Sequence, residues 1–175
     1  DNVVKDNTKI IDLSNDFRLK DDHYFMGRSY VYGLTEVKKE QIKSAHAIAN
    51  PGCFATAIQL ALVPLAAAKK LSQDVHINAI TGSTGAGAVP SATSHFSWRN
   101  NNISYYKPFV HQHLGEIGET IAQEQGSNAK LHFLPIRGNF TRGIFATAYT
   151  PFDGSLEDAY TIFENYYNNC PFTFV

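Results

Sequence analysis

The sequence predicts an α+β domain in which helices cover a mixed or antiparallel sheet. Two sets of observations carry this. Strand-like runs occupy residues 75–80, 130–136 and 143–150, the first with clear alternation of apolar and polar positions. Helix-like runs occupy residues 53–70, 115–125 and 155–168, and their order among the strands fits helices laid over one sheet. A length of 175 residues suits one domain with room for a fragment of a second, and is enough to bury a core.

Residues 9–13 form a short apolar strand that ends in the turn cluster Ser14-Asn15-Asp16. Residues 30–34 are a second extended segment ending near Gly33. Residues 46–49 make a short strand running into Asn50-Pro51-Gly52, a strong turn signal. The Ala, Leu and Ile content of residues 53–70 predicts a buried helix. Pro64 inside it lacks an amide donor and clashes with the preceding turn, which predicts a kink or a break. The strand over 75–80 ends in the glycine-rich stretch 81–87. Residues 88–109 hold Ser, Asn, Thr and aromatics without clear period, and so predict a long loop of the kind that is usually functional or interfacial. Ile117 and Ile121, four apart, mark the helix over 115–125. The last helix opens on Ser155-Leu156-Glu157-Asp158, a capping box with Asp in place of the usual Glu. No internal repeat or low-complexity segment is present.

Bulk properties exclude several function classes. A net charge of −1 and a pI near 6.7 give no electrostatic reason to expect nucleic acid or an anionic membrane as partner. The longest apolar run, 55–68, is interrupted by Gln59 and Pro64 and is too short to span a bilayer. Residues 1–5 have neither a charged n-region nor an apolar h-region, so no secretory leader is expected. Two cysteines allow at most one disulfide, and a domain of this size needs none, so two reduced thiols in a cytoplasmic protein are expected. Position 1 is not Met, and residues 172–175 read as a strand cut short; the chain is therefore expected to be a piece of a longer protein.

Cys53 sits where a tight turn meets a long helix. Unpaired amides and partial positive charge at a helix start stabilise a thiolate, and the same amides can hold the oxyanion of a tetrahedral intermediate. A general base or a nearby cation is still required. The competing reading is a buried structural cysteine, the commoner fate of an isolated one, and both stay open on these residues alone. Cys170, between Asn169 and Pro171 at a helix end, has no such surroundings and reads as inert.

His111-Gln112-His113-Leu114-Gly115-Glu116 is the second constellation. An extended His-x-His with a carboxylate three residues on can chelate a metal, but Gly115 and the absence of neighbouring Cys or Asp weigh against a metal site, and none is assigned. A second reading is an acid/base histidine tuned by a carboxylate, the partner that Cys53 lacks in its own segment. In a third, these polar residues cap the helix beginning near Gly115.

Gly82-Ser83-Thr84-Gly85-Ala86-Gly87 follows a strand and looks superficially like a dinucleotide fingerprint. Its order is G-x-x-G-x-G where the fingerprint is G-x-G-x-x-G, it runs into Ala88-Val89-Pro90-Ser91, and no acid occurs before Glu116. A pyrophosphate site is rejected here. The expected role is a flexible backbone loop lining a substrate pocket, with amides available to an anion.

Together these residues closely resemble the N-acetyl-gamma-glutamyl-phosphate reductases of arginine biosynthesis, in the semialdehyde dehydrogenase family. The resemblance is carried by residues 48–64 throughout, by Ile11-Asp12-Leu13-Ser14 with Asp16-Phe17-Arg18-Leu19, and by Tyr32-Gly33-Leu34 with Glu36. Ser83-Thr84-Gly85-Ala86-Gly87, His111-x-His113-x-x-Glu116-Ile117 and Arg142-Gly143-Ile144 complete it in the expected order. It implies a catalytic domain of the glyceraldehyde-3-phosphate dehydrogenase C-terminal type over residues 17–175, with residues 1–16 as the tail of a Rossmann domain that binds NADP(H). It further implies a Cys53 thioester formed from an acyl phosphate with release of phosphate, and acid/base work by His113. His111 and Glu116 would position substrate or tune His113. Asn50 and the loop with Ser83 and Gly85 would line the pocket, and Arg142 would pair with an anionic substrate group. Any cofactor contact in this chain would fall on Gly85 and Gly87. A homodimer or homotetramer is expected, and little reductase activity from the isolated chain. The sequence departs from the family at Ala88, where many relatives carry a basic residue, so an acetyl or another N-acyl substrate stays open. Two alternatives remain: aspartate-semialdehyde dehydrogenase, with the same thiol logic, and a non-catalytic domain binding metal through His111, His113 and Glu116.

Overall fold

The computed structural model describes residues 7–175. The reading of residues 1–5 as lacking a leader, and residues 1–6 of the expected Rossmann tail, lie outside the described residues. Eight strands form two four-stranded sheets. The first sheet runs β1-β4-β3-β2, from Ile10–Asp12 (β1), Ala47–Ala49 (β4), Arg28–Tyr32 (β3) and Tyr24–Phe25 (β2). β4 pairs in parallel with both β1 and β3, so Ile48 lies between Ile11 and Val31. Helix α1, Thr35–Ser44, packs against β3. It buries none of its side chains, so no apolar stripe announces it, and it has no counterpart among the predicted elements.

The second sheet runs β6-β7-β5-β8, from Ser104–Tyr105 (β6), Leu131–Arg137 (β7), Val75–Thr81 (β5) and Ile144–Tyr149 (β8). β5 is parallel to β7 and antiparallel to β8, which makes the sheet mixed, as predicted. Val75, Ile77 and Ala79 point into the core, the period-two signature of a strand with one covered face. Helices α2, Cys53–Ala67, and α4, His113–Gln125, cross that face. Their Phe54, Ile58, Leu62, Ile117 and Ile121 close over Phe133 in one apolar cluster. Each fully buried side chain of this kind stabilises the fold by roughly 1.5–3 kcal/mol relative to leaving it in water. On the opposite face Phe145 and Tyr149 stand 66% and 61% exposed among the described residues.

Three expectations are corrected. Helix α2 runs unbroken through Pro64. Proline there leaves the Leu60 carbonyl without its usual amide. The hydroxyl of Tyr167, from helix α5 (Leu156–Tyr167), donates to that carbonyl at 2.6 Å and takes the amide's place. Residues 88–109 are not one structureless loop: they hold a short helix α3, Phe96–Arg99, and strand β6. The buried Arg99 guanidinium organises them by donating to the carbonyls of Thr93, Asn102 and Arg137 and to Ser104 Oγ. Helix α4 begins at His113, two residues earlier than predicted, so His-x-His is not extended. The predicted capping box of α5 is present in both directions between Ser155 and Asp158.

Candidate active site

Cys53 is the first residue of α2, an exposed thiol above a buried turn formed by Pro51 and Gly52. Gly52 is the N-cap, and no side chain caps the helix. Its carbonyl accepts from the amide of Thr56 at 2.8 Å and from Thr56 Oγ1 at 3.0 Å. The first-turn amides and the positive end of the helix therefore open on the thiol, with no acidic residue in that turn to neutralise them. Asn50, exposed, donates its amide N–H to the Asp12 carbonyl at 2.8 Å and its side-chain N–H to Pro51 O at 3.1 Å. Both bonds fix the turn.

His113 lies directly against this turn: a Cβ added at Gly52 would overlap its imidazole ring. Only glycine lets the backbone and the ring approach so closely. The ring is buried, and its Nδ1 has no hydrogen-bond partner among the described residues. Burial, reinforced by the positive charges of Arg18 and Lys107, lowers its pKa from 6.5 to about 4. At neutral pH it is thus an uncharged base. His111 stacks edge-on to it with ring centroids 4.6 Å apart, and accepts the His113 amide on Nδ1 at 3.2 Å. Its own pKa also falls to about 4, through burial first and the charges of His113 and Lys107 after it. His111 thus does what the capping reading describes, and supports His113 at the same time.

Glu116 gathers the site. Its Oε2 accepts from the Gly52 amide and the Tyr32 hydroxyl, each at 2.9 Å, and its Oε1 accepts from Arg18 Nη1 at 3.1 Å. Gln59, fully buried on α2, donates in turn to the Tyr32 oxygen at 2.7 Å. Burial, with the Glu116 charge beside it, drives the Tyr32 phenol well above its ordinary range, so it remains a donor. His113 Nε2 stands 3.9 Å from Glu116 Oε1, too far for a hydrogen bond. Among the described residues no group of three or more His, Cys, Asp or Glu side chains is arranged to hold a metal ion. Arg18, Tyr32 and Gln59 lie in segments that carry the family resemblance, but they were not expected at the site.

The glycine loop forms a 3-10 turn, Ser83–Ala86. The expectation that its amides are available to an anion is corrected. Gly82, Ser83 and Thr84 donate theirs to the carbonyls of Gly143, Phe140 and Thr141, and Gly85 and Gly87 donate within the loop. A Cβ at Gly82 would collide with the Thr141 carbonyl, so glycine is needed where the two loops meet. Arg142 is exposed on the partner loop. Tyr106 lies with its ring 6.4 Å from Phe54 and 5.6 Å from His111. Its phenol pKa is raised by burial and also by the charge of Cys53. Tyr106 borders the site without a sequence signal of its own.

A mixed sheet under a long helix that opens on a thiol is the fold of the semialdehyde dehydrogenases. The sequence profile of the semialdehyde dehydrogenase dimerisation domain matches residues 53–175, and the chain belongs to that family. It is similar to the N-acetyl-gamma-glutamyl-phosphate reductase of Flavobacterium johnsoniae, 60% identical over all of this chain and 54% of that protein. The chain therefore spans about half the length of the curated relatives it matches. In fold it is similar to aspartate semialdehyde dehydrogenase II of Vibrio cholerae, with a TM-score of 0.62 at 14% identity, covering 89% of this chain and 52% of that one. It is also similar to the aspartate semialdehyde dehydrogenase of Candida albicans solved with NADP, with a TM-score of 0.52 at 14% identity, covering 88% of this chain and 48% of that one.

Proposed function

We propose that the chain is the catalytic part of an NADPH-dependent reductase that converts N-acetyl-gamma-glutamyl phosphate, or a close N-acyl relative, to the semialdehyde in arginine biosynthesis. The observation that carries this reading is the exposed Cys53 at an uncapped helix start, with the neutral imidazole of His113 packed on the same turn. Identity of 60% to a reductase of that name favours this substrate over aspartate semialdehyde, whose enzymes share only the fold at 14%.

His113 takes the Cys53 thiol proton, and the sulfur attacks the acyl-phosphate carbon. A C–S bond forms, the C–O bond to phosphate breaks, and phosphate leaves with the bonding pair, giving a thioester. The amides at the start of α2 hold the oxyanion as it develops. The nicotinamide cofactor, when bound, supplies the hydride that reduces the thioester carbon. The resulting oxyanion takes a proton from the His113 imidazolium; its return to His113 lets the C–S bond break and the aldehyde depart. Glu116 keeps the turn and the imidazole in register throughout. His111 orients His113, Asn50 fixes the turn, and Ser83 and Gly85 border the pocket.

The glycine loop has neither the order nor the open amides to grip a dinucleotide, which supports a cofactor held mainly by another part of the longer enzyme. Gly85 and Gly87 are the loop residues by which this chain would meet it, and the open space where a Cβ at Gly87 would be supports this. Residues 17–175 form the catalytic part, and the segment before them leads to a Rossmann domain; the edge strand β1, with Ile11 64% exposed, supports that continuation. The face of the second sheet that carries the exposed Phe145 and Tyr149 pairs subunits into a homodimer or homotetramer, in keeping with a family described by its dimerisation domain. No helix among the described residues is long and apolar enough to cross a membrane, and two unpaired thiols fit a reducing cytoplasm.

The test uses the complete enzyme in reverse, oxidising N-acetylglutamate semialdehyde with phosphate and NADP, beside aspartate semialdehyde. Preference for the acylated substrate, abolished by Cys53→Ala and severely reduced by His113→Ala, is expected. Near-normal rates in either variant, or equal alkylation of Cys53 and Cys170 by iodoacetamide, contradict the assigned chemistry.

A further inference from the structure

We propose that Arg137, held in place by Arg99, is the residue that binds a carboxylate of the substrate remote from the reacting carbon. This rests on the reading of Cys53 as the nucleophile of an acylated glutamyl substrate. Arg137 is the last residue of β7, and its guanidinium carbon lies 4.7 Å from the centre of the Tyr106 ring. Tyr106 is the side chain that touches the rings of Phe54 and His111 and feels the charge of Cys53. Arg137 thus stands one aromatic ring away from Phe54, the residue that follows the thiol.

The electrostatics around it are unbalanced. Among the described residues, the ion pairs engage Glu116, Glu40 and Asp74, and none involves Arg99 or Arg137. No Asp or Glu occurs from residue 75 to 115, nor from 126 to 152, the segments that supply this region. Arg99 is 5% exposed, and all its recorded contacts are neutral oxygens. Arg137 donates one N–H to Thr93 Oγ1 at 3.1 Å and also bonds the Tyr106 hydroxyl, both neutral groups, while its Nε is buried and has no partner among the described residues. Two guanidinium groups so placed, near enough for the charge of Arg137 to act on Arg99, call for an anion.

The division of labour is visible in the bonds. Arg99 donates to the Arg137 carbonyl at 2.9 Å and to both the 93 and 102 carbonyls, so it fixes backbone and is a positioning residue. Arg137 keeps its fork free of any carboxylate, the geometry suited to a bidentate contact. The substrate offers such a group in its α-carboxylate, or in an N-acyl chain that ends in a carboxylate.

The complete enzyme carrying Arg137→Met or Arg137→Lys tests this. Arg137→Met is expected to raise the KM for N-acetylglutamate semialdehyde by about 30-fold, the loss of one charge-assisted contact, with kcat changed by less than about threefold. Arg137→Lys should recover part of that loss. N-acetylglutamate should shield Cys53 from iodoacetamide in the wild type and about 30-fold less well in Arg137→Met, each compared with its own unshielded alkylation rate. If the α-amide of N-acetylglutamate shields the wild type no better than it shields Arg137→Met, the α-carboxylate is the ligand. If a glutamate whose acyl group ends in a carboxylate is the compound whose shielding Arg137→Met removes, the acyl carboxylate is. A KM and shielding that are the same in wild type and Arg137→Met overturn the proposal while leaving the reductase reading intact. Shielding that depends on Arg137 in an enzyme that turns over neither semialdehyde would sink the reductase reading and leave the anion site standing.

Discussion

The Gly52 amide donates to Glu116 Oε2 at 2.9 Å, which ties the residue before the thiol to the first turn of α4. The same carboxylate receives Arg18 and Tyr32, so three segments distant in sequence converge on one group that is 4% exposed. Glu116→Ala leaves the Arg18 guanidinium and the Gly52 amide buried without their acceptor, and is expected to cost about 3–5 kcal/mol of stability. Glu116→Gln keeps an acceptor and should cost less. Urea unfolding of both variants measures this; a Glu116→Ala midpoint equal to that of the wild type would show that the carboxylate holds nothing together.

Gly52→Ala isolates the second relationship at this turn. A methyl group there has to displace the His113 ring, because the imidazole occupies its position. Turnover by the complete enzyme is expected to fall by about 100-fold, as for other small misplacements of a catalytic group. Circular dichroism should stay native, since the turn's own dihedral angles suit alanine. Unchanged turnover would mean that the ring has another place to sit.

Part of this arrangement was legible in the sequence for local reasons. Ser155 and Asp158 announce a cap, and alternation over residues 75–80 announces a strand with one covered face. The convergence on Glu116 was not legible, because Arg18 and Tyr32 lie 98 and 84 residues away, and the motifs that hold them do not point to Glu116. Pro64 misled for the same reason, its compensation coming from Tyr167, 107 residues from the carbonyl it serves. The glycine loop was read by composition as open, whereas its bonding partners lie more than 50 residues away, across the sheet in residues 140–143.

The buried histidines make stability depend on pH in a stated direction. Both fold with pKa values near 4, below the ordinary 6.5, so between those values the unfolded chain binds more protons than the folded one. Their contribution is full above pH 6.5 and is lost as pH falls towards 4. The melting temperature should therefore drop across that window. Replacing both residues, as His111→Gln with His113→Asn, should flatten the dependence there. An equal slope in wild type and double variant would show that the imidazoles are not buried in neutral form.

Tyr167 and Pro64 form the last testable pair. The phenol pKa is raised, first by burial, so the hydroxyl remains a donor, and its bond to the Leu60 carbonyl is the contact that lets α2 pass through proline. Tyr167→Phe removes that bond and leaves the part-buried carbonyl without its donor, at an expected cost of about 1–3 kcal/mol. Pro64→Ala restores an amide that can serve the same carbonyl from within the helix. In that background Tyr167→Phe should cost less, because its partner is already satisfied. Urea unfolding of the two single variants and the double variant closes the cycle, with a coupling of about 1 kcal/mol expected between the sites. Additive costs would show that the hydroxyl and the proline do not share the Leu60 carbonyl, and that some other contact carries α2 past Pro64.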